Sequence, residues 1–163
     1  MREILSSIIV PVPIDVAWTA YLDFESWALR SKLYDRIEWL SGKPWHQHSR
    51  ARLHQLWPSP QTVLIRVLQV HRPDLISALY HANGLTSNKS VRFHSRDKDS
   101  TEVQIQTECL GENLDQAVVE ADVILRQMYE VQLKDFAAEC LLRTGRAPEA
   151  DRLNVDDRRE KSA

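Results

Sequence analysis

Residues 113–144 read NLDQAVVEADVILRQMYEVQLKDFAAECLLRT, and the way this stretch folds decides the architecture of the chain. Leu114, Ala117, Val118, Ala121, Ile124, Leu125, Met128 and Phe136 keep helical spacing and form one apolar stripe. On the opposite face Asp122 precedes Arg126 and Glu130 precedes Lys134, acid-first pairs that support an exposed helical surface. Asn113 followed by Gln116 resembles a capping box, in which the two side chains satisfy each other's free N–H groups. Gly145 suits a left-handed C-terminal cap, and Pro148 forbids resumption. A long helix with one apolar face needs a broad surface to lie on, and the residues before it must supply that surface.

Working backward from the helix, strand patterns follow one another. Residues 101–109 alternate: Val103, Ile105 and Thr107 oppose Glu102, Gln104, Gln106 and Glu108. In residues 89–95, Val91 and Phe93 oppose Ser90, Arg92 and His94, and Arg96-Asp97-Lys98-Asp99 makes the turn between the two strands. A period of two means one packed face and one wet face, as in an antiparallel sheet covered on one side. Residues 75–82 form another strand, ended by the hairpin signal Asn83-Gly84. In residues 62–70, Leu64, Leu68 and Val70 share a face with Arg66, opposite Val63, Ile65 and Val67, and Arg72-Pro73-Asp74 turns the chain. Residues 49–57 are stopped by Pro58-Ser59-Pro60, because proline cannot donate to a ladder. Residues 33–40 end at Ser41-Gly42-Lys43-Pro44. Upstream of these, Val16, Ala17, Ala20, Tyr21, Phe24, Trp27 and Ala28 predict two short helices over 14–30, divided near Asp23. Pro13 is placed for a first helical turn, and residues 3–12 predict the first strand.

This is an α+β plan: a seven-stranded curved antiparallel sheet with two short helices and a long C-terminal helix. The order resembles the START-like, helix-grip superfamily, which includes polyketide cyclases, lipid-transfer domains, and the birch-pollen-allergen and abscisic-acid-receptor proteins. Val12-Pro13-Ile14-Asp15-Val16-Ala17-Trp18 is similar to that family's approach to its first helix. Leu22-Asp23-Phe24-Glu25-Ser26-Trp27 resembles its D-F-x-x-W segment, and Val70-His71-Arg72-Pro73-Asp74-Leu75-Ile76 its proline turn between the fourth and fifth strands. The resemblance spans roughly residues 3–144. It implies a cavity between the concave face and the last helix, with its mouth among the loops at 57–61 and 83–88 and the start of that helix. The abscisic-acid receptors use these two loops as gate and latch, but their loop sequences are absent here.

Such a cavity would hold an apolar or amphipathic small molecule, a lipid, polyketide or similar. Its expected walls are Leu53, Ile65, Val67, Leu79, Val91, Phe93, Val103 and Ile105 from the sheet. Ala117, Ala121, Leu125 and Met128 would face them from the helix, where the two alanines leave room. Trp57 is the candidate lid aromatic, and either Tyr80 or His81 would point inward to orient a polar end or act in acid–base chemistry. The plainer reading of that pair is an exposed polar edge. Arg66 and Arg92 could fork a carboxylate, or be solvated outward residues. His46-Gln47-His48, with His54, could hold a metal, but no carboxylate or cysteine nearby completes the set, so no metal or other cofactor is expected.

Composition sets the outer bounds. The chain has 163 residues, 27% of them charged, and a net charge of −2, so no global field attracts nucleic acid or an anionic membrane. One domain of this size is expected to bury roughly 68–70% of its unfolded surface without a staple. No apolar run approaches the ~20 residues of a membrane helix, and Glu3 stands where a signal peptide would be basic, so a cytoplasmic location is expected. The glycines at 42, 84, 111 and 145 are too scattered for a phosphate loop, and no G-x-S-x-G, H-E-x-x-H or C-x-x-C occurs. Cys109 and Cys140 are read as reduced, separated on the order of 40 Å by the helix between them. Residues 1–145 are expected to form the domain. Residues 146–163, with five basic and five acidic side chains, are expected to form a mobile tail. Two alternative functions stay open: a cyclase or aromatase acting by enclosure, and a protein-interaction module using Trp45 or the tail.

Overall fold

The computed structural model describes residues 2–110 and 115–145. The elements run β1 (Arg2–Val10), α1 (Ile14–Leu22), α2 (Phe24–Trp27), a single 3-10 turn (Ala28–Arg30), β2 (Tyr34–Ser41), β3 (Arg50–Gln55), β4 (Gln61–His71), β5 (Leu75–Ala82), β6 (Leu85–Asp97), β7 (Ser100–Leu110) and α3 (Asp115–Arg143). The strands form one sheet in the order β1-β7-β6-β5-β4-β3-β2, antiparallel throughout. This is the helix-grip arrangement: six strands in a meander, with β1 added beside the last of them.

The alternation read in the sequence sets which face is covered. Val91, Phe93, Val103 and Ile105 are buried, while Arg92 and His94 between them are exposed. In β4 the buried face is Val63, Ile65 and Val67. The register then shifts between Val67 and Gln69, and beyond that irregularity Val70 is half-buried, which accounts for the mixed pattern of this strand. Further shifts occur in β2 and near the end of β6, and each such bulge bends its strand.

The β5–β6 turn corrects one strand boundary. Asn83 and Gly84 both have positive φ, 51° and 74°, as a two-residue type I′ turn requires, and Ala82 pairs directly with Leu85. No slack is left, so β6 begins at Leu85 rather than at Lys89. At the same end of the sheet, β3 stops at Gln55, and the Leu56 N–H donates to the Leu33 carbonyl at 2.7 Å instead of continuing the ladder.

Asp23 leaves helical geometry (φ −80°, ψ 55°), which divides α1 from α2 and turns the chain across the end of the sheet. There α1, α2 and the C-terminal half of α3 close one end with stacked aromatics. Phe136 meets Tyr21 and Trp27 at 5.5 Å between ring centres, and Trp18 meets Phe93 edge-on at 5.4 Å. Such pairs contribute about 0.5–1.5 kcal/mol each beyond their burial. Polar clamps border this cluster: Glu139 receives Arg30 and Arg143, and Arg143 also donates to Asp23 at 2.6 Å. The helix ends at Arg143, and Gly145 just beyond it, with φ of 74°, supplies the left-handed cap. Among the described residues no helix is long and apolar enough to cross a membrane. The capping box at Asn113 and the tail at 146–163 lie outside the described residues.

Candidate functional site

Opposite the aromatic plug, the sheet and α3 diverge around a cavity of about 500 Å³. Strand parity supplies the walls. Leu53 and Gln55 come from β3, Gln61 and Val63 from β4, Tyr80 and Ala82 from β5, and Leu85, Ser87 and Lys89 from β6. Ala121, Ile124, Leu125, Met128 and Tyr129 form the α3 side, and Tyr34 of β2 closes one flank. Pro58, Ser59 and Asn83 lie at the rim, where the Asn83 amide donates to Gln61 Oε1 at 2.5 Å and ties the two loops together.

Among the described residues one cationic side chain lines this space. Lys89 is 6% exposed, and its ammonium donates to Gln132 Oε1 at 3.1 Å. The Gln132 amide donates in turn to the Tyr21 hydroxyl at 3.3 Å. Nζ also lies 5.3 Å from the centre of the Tyr80 ring and 5.0 Å from that of Tyr129. Among the described residues no carboxylate pairs with it. Withdrawing an ammonium from water costs several kcal/mol even after relaxation. A ring face returns about 2 kcal/mol or somewhat more at a desolvated site, which offsets that cost in part. The deficit appears as a lowered basicity: desolvation brings Lys89 down from 10.5 to about 7. Burial acts in the opposite sense on the phenols, raising Tyr21, Tyr34, Tyr80 and Tyr129 so that all four stay neutral donors. The Tyr129 hydroxyl is engaged with Thr107 Oγ1 at 2.6 Å, which fastens α3 to β7 beside the cavity.

The expected wall residues divide into groups. Leu53, Tyr80, Ala121, Leu125 and Met128 line the cavity. Ile65, Val67, Val91, Phe93, Val103 and Ile105 share the concave face but belong to the packed core. Leu79 and His81 flank the inward Tyr80 and face the other way; His81 is exposed and its Nδ1 meets Thr86 Oγ1 at 2.9 Å. Trp57 is 37% exposed beside the rim, and Pro58 and Ser59 take the lining positions instead. The side chain of Ala117 lies outside the described residues.

Arg66 and Arg92 are exposed on the outer face. His46 and His48 are exposed as well, His46 Nδ1 resting 3.0 Å from the Pro44 carbonyl, and His54 stands against Glu38 at 3.7 Å. Among the described residues no three His, Cys, Asp or Glu side chains gather as metal ligands.

Lys89, Tyr129, Gln132 and Tyr34 were absent from the expected set. Counting back by twos from Phe93 and Val91 reaches Lys89, Ser87 and Leu85, so the signal for the β6 wall was available. On α3, Tyr129 stands four residues after Leu125 and Gln132 four after Met128, on the same face as both.

No protein-family model matches the chain, and no curated protein sequence does. Solved structures do. The Zhui aromatase/cyclase from Streptomyces sp. R1128 superposes with a TM-score of 0.76 over 88% of this chain and 95% of its own, at 15% identity. A norcoclaurine synthase point mutant from Thalictrum flavum gives 0.71 over 88% and 96%, at 13% identity. A START superfamily protein from Mycobacterium smegmatis gives 0.69 over 84% and 95%, also at 13%. The curved seven-stranded sheet, the two short helices and the long helix gripped by the sheet are common ground, and this chain has the START-like, helix-grip fold.

Proposed function

We propose that this chain binds an apolar or amphipathic small molecule, a lipid, polyketide or similar compound, between the sheet and α3. The observation that carries the reading is the cavity of about 500 Å³, bounded by aliphatic and aromatic side chains interspersed with polar groups such as Gln55, Gln61, Ser87 and Lys89, an amphipathic lining within the size range of small-molecule sites. The opposite end of the same sandwich is filled by aromatic rings, so the space is local rather than a consequence of loose packing throughout. Mass spectrometry of compounds released from freshly purified protein is expected to show an apolar or amphipathic molecule. Ala121→Phe, which projects a ring into the space, is expected to lower binding of such a molecule at least tenfold while the fold persists. Unchanged affinity in a folded Ala121→Phe chain would remove this wall from the site.

A second reading, a cyclase- or aromatase-like enzyme that works by enclosing a reactive chain, is favoured by the polar cluster of Lys89, Tyr80 and Tyr129 at the cavity wall. An amine that titrates near neutral pH beside neutral phenols has the properties of an acid–base group. Tyr80→Phe separates the readings: loss of turnover with binding retained supports catalysis, and unchanged turnover of a tested polyketone excludes this phenol from it.

A further inference from the structure

We propose that the molecule held in this cavity carries a carboxylate, and that Lys89 receives it; the assignment rests on the cavity being a ligand site. The argument begins from an incomplete charge. Lys89 is enclosed, lines the space and has Gln132 as its hydrogen-bond partner. An ammonium has three donors, and the Tyr80 and Tyr129 ring faces stand where stronger acceptors would otherwise be. The ion-paired arginines Arg30, Arg52, Arg126 and Arg143 reach carboxylates supplied by the chain itself. Lys89 has none among the described residues, although it is the more deeply buried charge.

The surroundings fit an anionic oxygen attached to an apolar body. From α3, Tyr129 and Gln132 face Lys89; from β5, Tyr80; and from α1, Tyr21 through Gln132. Burial holds the three phenols neutral, so none competes with a ligand as counter-ion. Asp135 of α3 lies toward Tyr34 of β2 rather than pairing with the amine. Leu53, Leu125 and Met128 extend the same space with aliphatic wall. A straight-chain fatty acid presents this combination, and its uncharged ester presents the body without the head.

The sign of the pH dependence follows. In the unliganded chain Lys89 is half protonated at about pH 7, and a bound carboxylate favours the protonated form. Above that pH binding must take up a proton, so affinity for the acid falls as pH rises, by at most tenfold per pH unit.

Dodecanoate and methyl dodecanoate titrated into the full-length chain from pH 6.5 to 9 test the assignment. The expected result is at least tenfold tighter binding of the acid at pH 6.5, a preference that shrinks toward pH 9, and unchanged ester affinity across the range. Lys89→Met is expected to weaken the acid at least tenfold and leave the ester within a factor of about three. Equal binding of acid and ester by the wild-type chain overturns the headgroup assignment while leaving the cavity reading intact. Binding of neither overturns the cavity reading, and the assignment with it.

Discussion

Lys89 shows how one buried cation shapes stability as well as chemistry. In the unfolded chain its amine keeps its ordinary value of 10.5, whereas in the fold it stands at about 7. Between those values the unfolded chain binds more protons than the folded one, so this residue makes stability rise with pH over that window. Below about pH 7 the full penalty is present. Lys89→Met keeps a flexible apolar stem of similar length and removes the charge. It is expected to melt above the wild type at pH 6–7, and the difference in Tm is expected to narrow as pH approaches 10. Melting curves of the two proteins across that range check it; a gap independent of pH would show that desolvation of the amine is not the cause. Sequence alone conceals this residue because lysine is ordinarily a surface residue, and the strand pattern of β6 is clear only from Lys89 onward, four residues after the strand begins.

At the scale of elements, α3 does two jobs along its length. Toward its C-terminus Leu133, Phe136 and Cys140 are buried, Phe136 against Tyr21 of α1 and Trp27 of α2, whereas Ala121, Leu125 and Met128 line the cavity. Phe136→Ala is expected to cost about 3–5 kcal/mol, since the ring fills a site enclosed by Tyr21 and Trp27. Chemical denaturation measures that loss, and a cost below about 1 kcal/mol would mean the aromatic plug is not a rigid anchor. Ala121→Phe, on the same helix about four turns earlier, is expected to leave stability nearly unchanged because it enters a space rather than a packed core. The helical stripe was legible because Leu125, Met128 and Phe136 keep one spacing along it. That spacing could not say where packing ends and cavity begins, which depends on how far the sheet curls away. Alternation likewise gave the inward face of β6 and β7, but Val91, Val103 and Ile105 proved to be core because depth along a strand has no periodic signature.

For the whole molecule, the element order was legible because each strand is punctuated: Asn83-Gly84, the prolines at 58, 60 and 73, and the charged turn at 96–99 leave little freedom in the meander. The mouth of the cavity was legible in outline, since the β3–β4 loop and the β5–β6 turn meet at the rim through Asn83 and Gln61. What the sequence concealed was the asymmetry of the sandwich, solid at one end and hollow at the other. That asymmetry arises where chains distant in sequence converge, as Tyr21, Phe93 and Phe136 do at one end and Tyr34, Lys89 and Tyr129 at the other. Crystals grown with 10-bromodecanoate test the hollow directly, because anomalous scattering locates the bromine without interpretation of weak density. The expected result is a bromine inside the space bounded by Leu53, Tyr80, Ala121 and Met128. Bromine found solely on the outer surface, with those side chains collapsed against one another, would contradict the account.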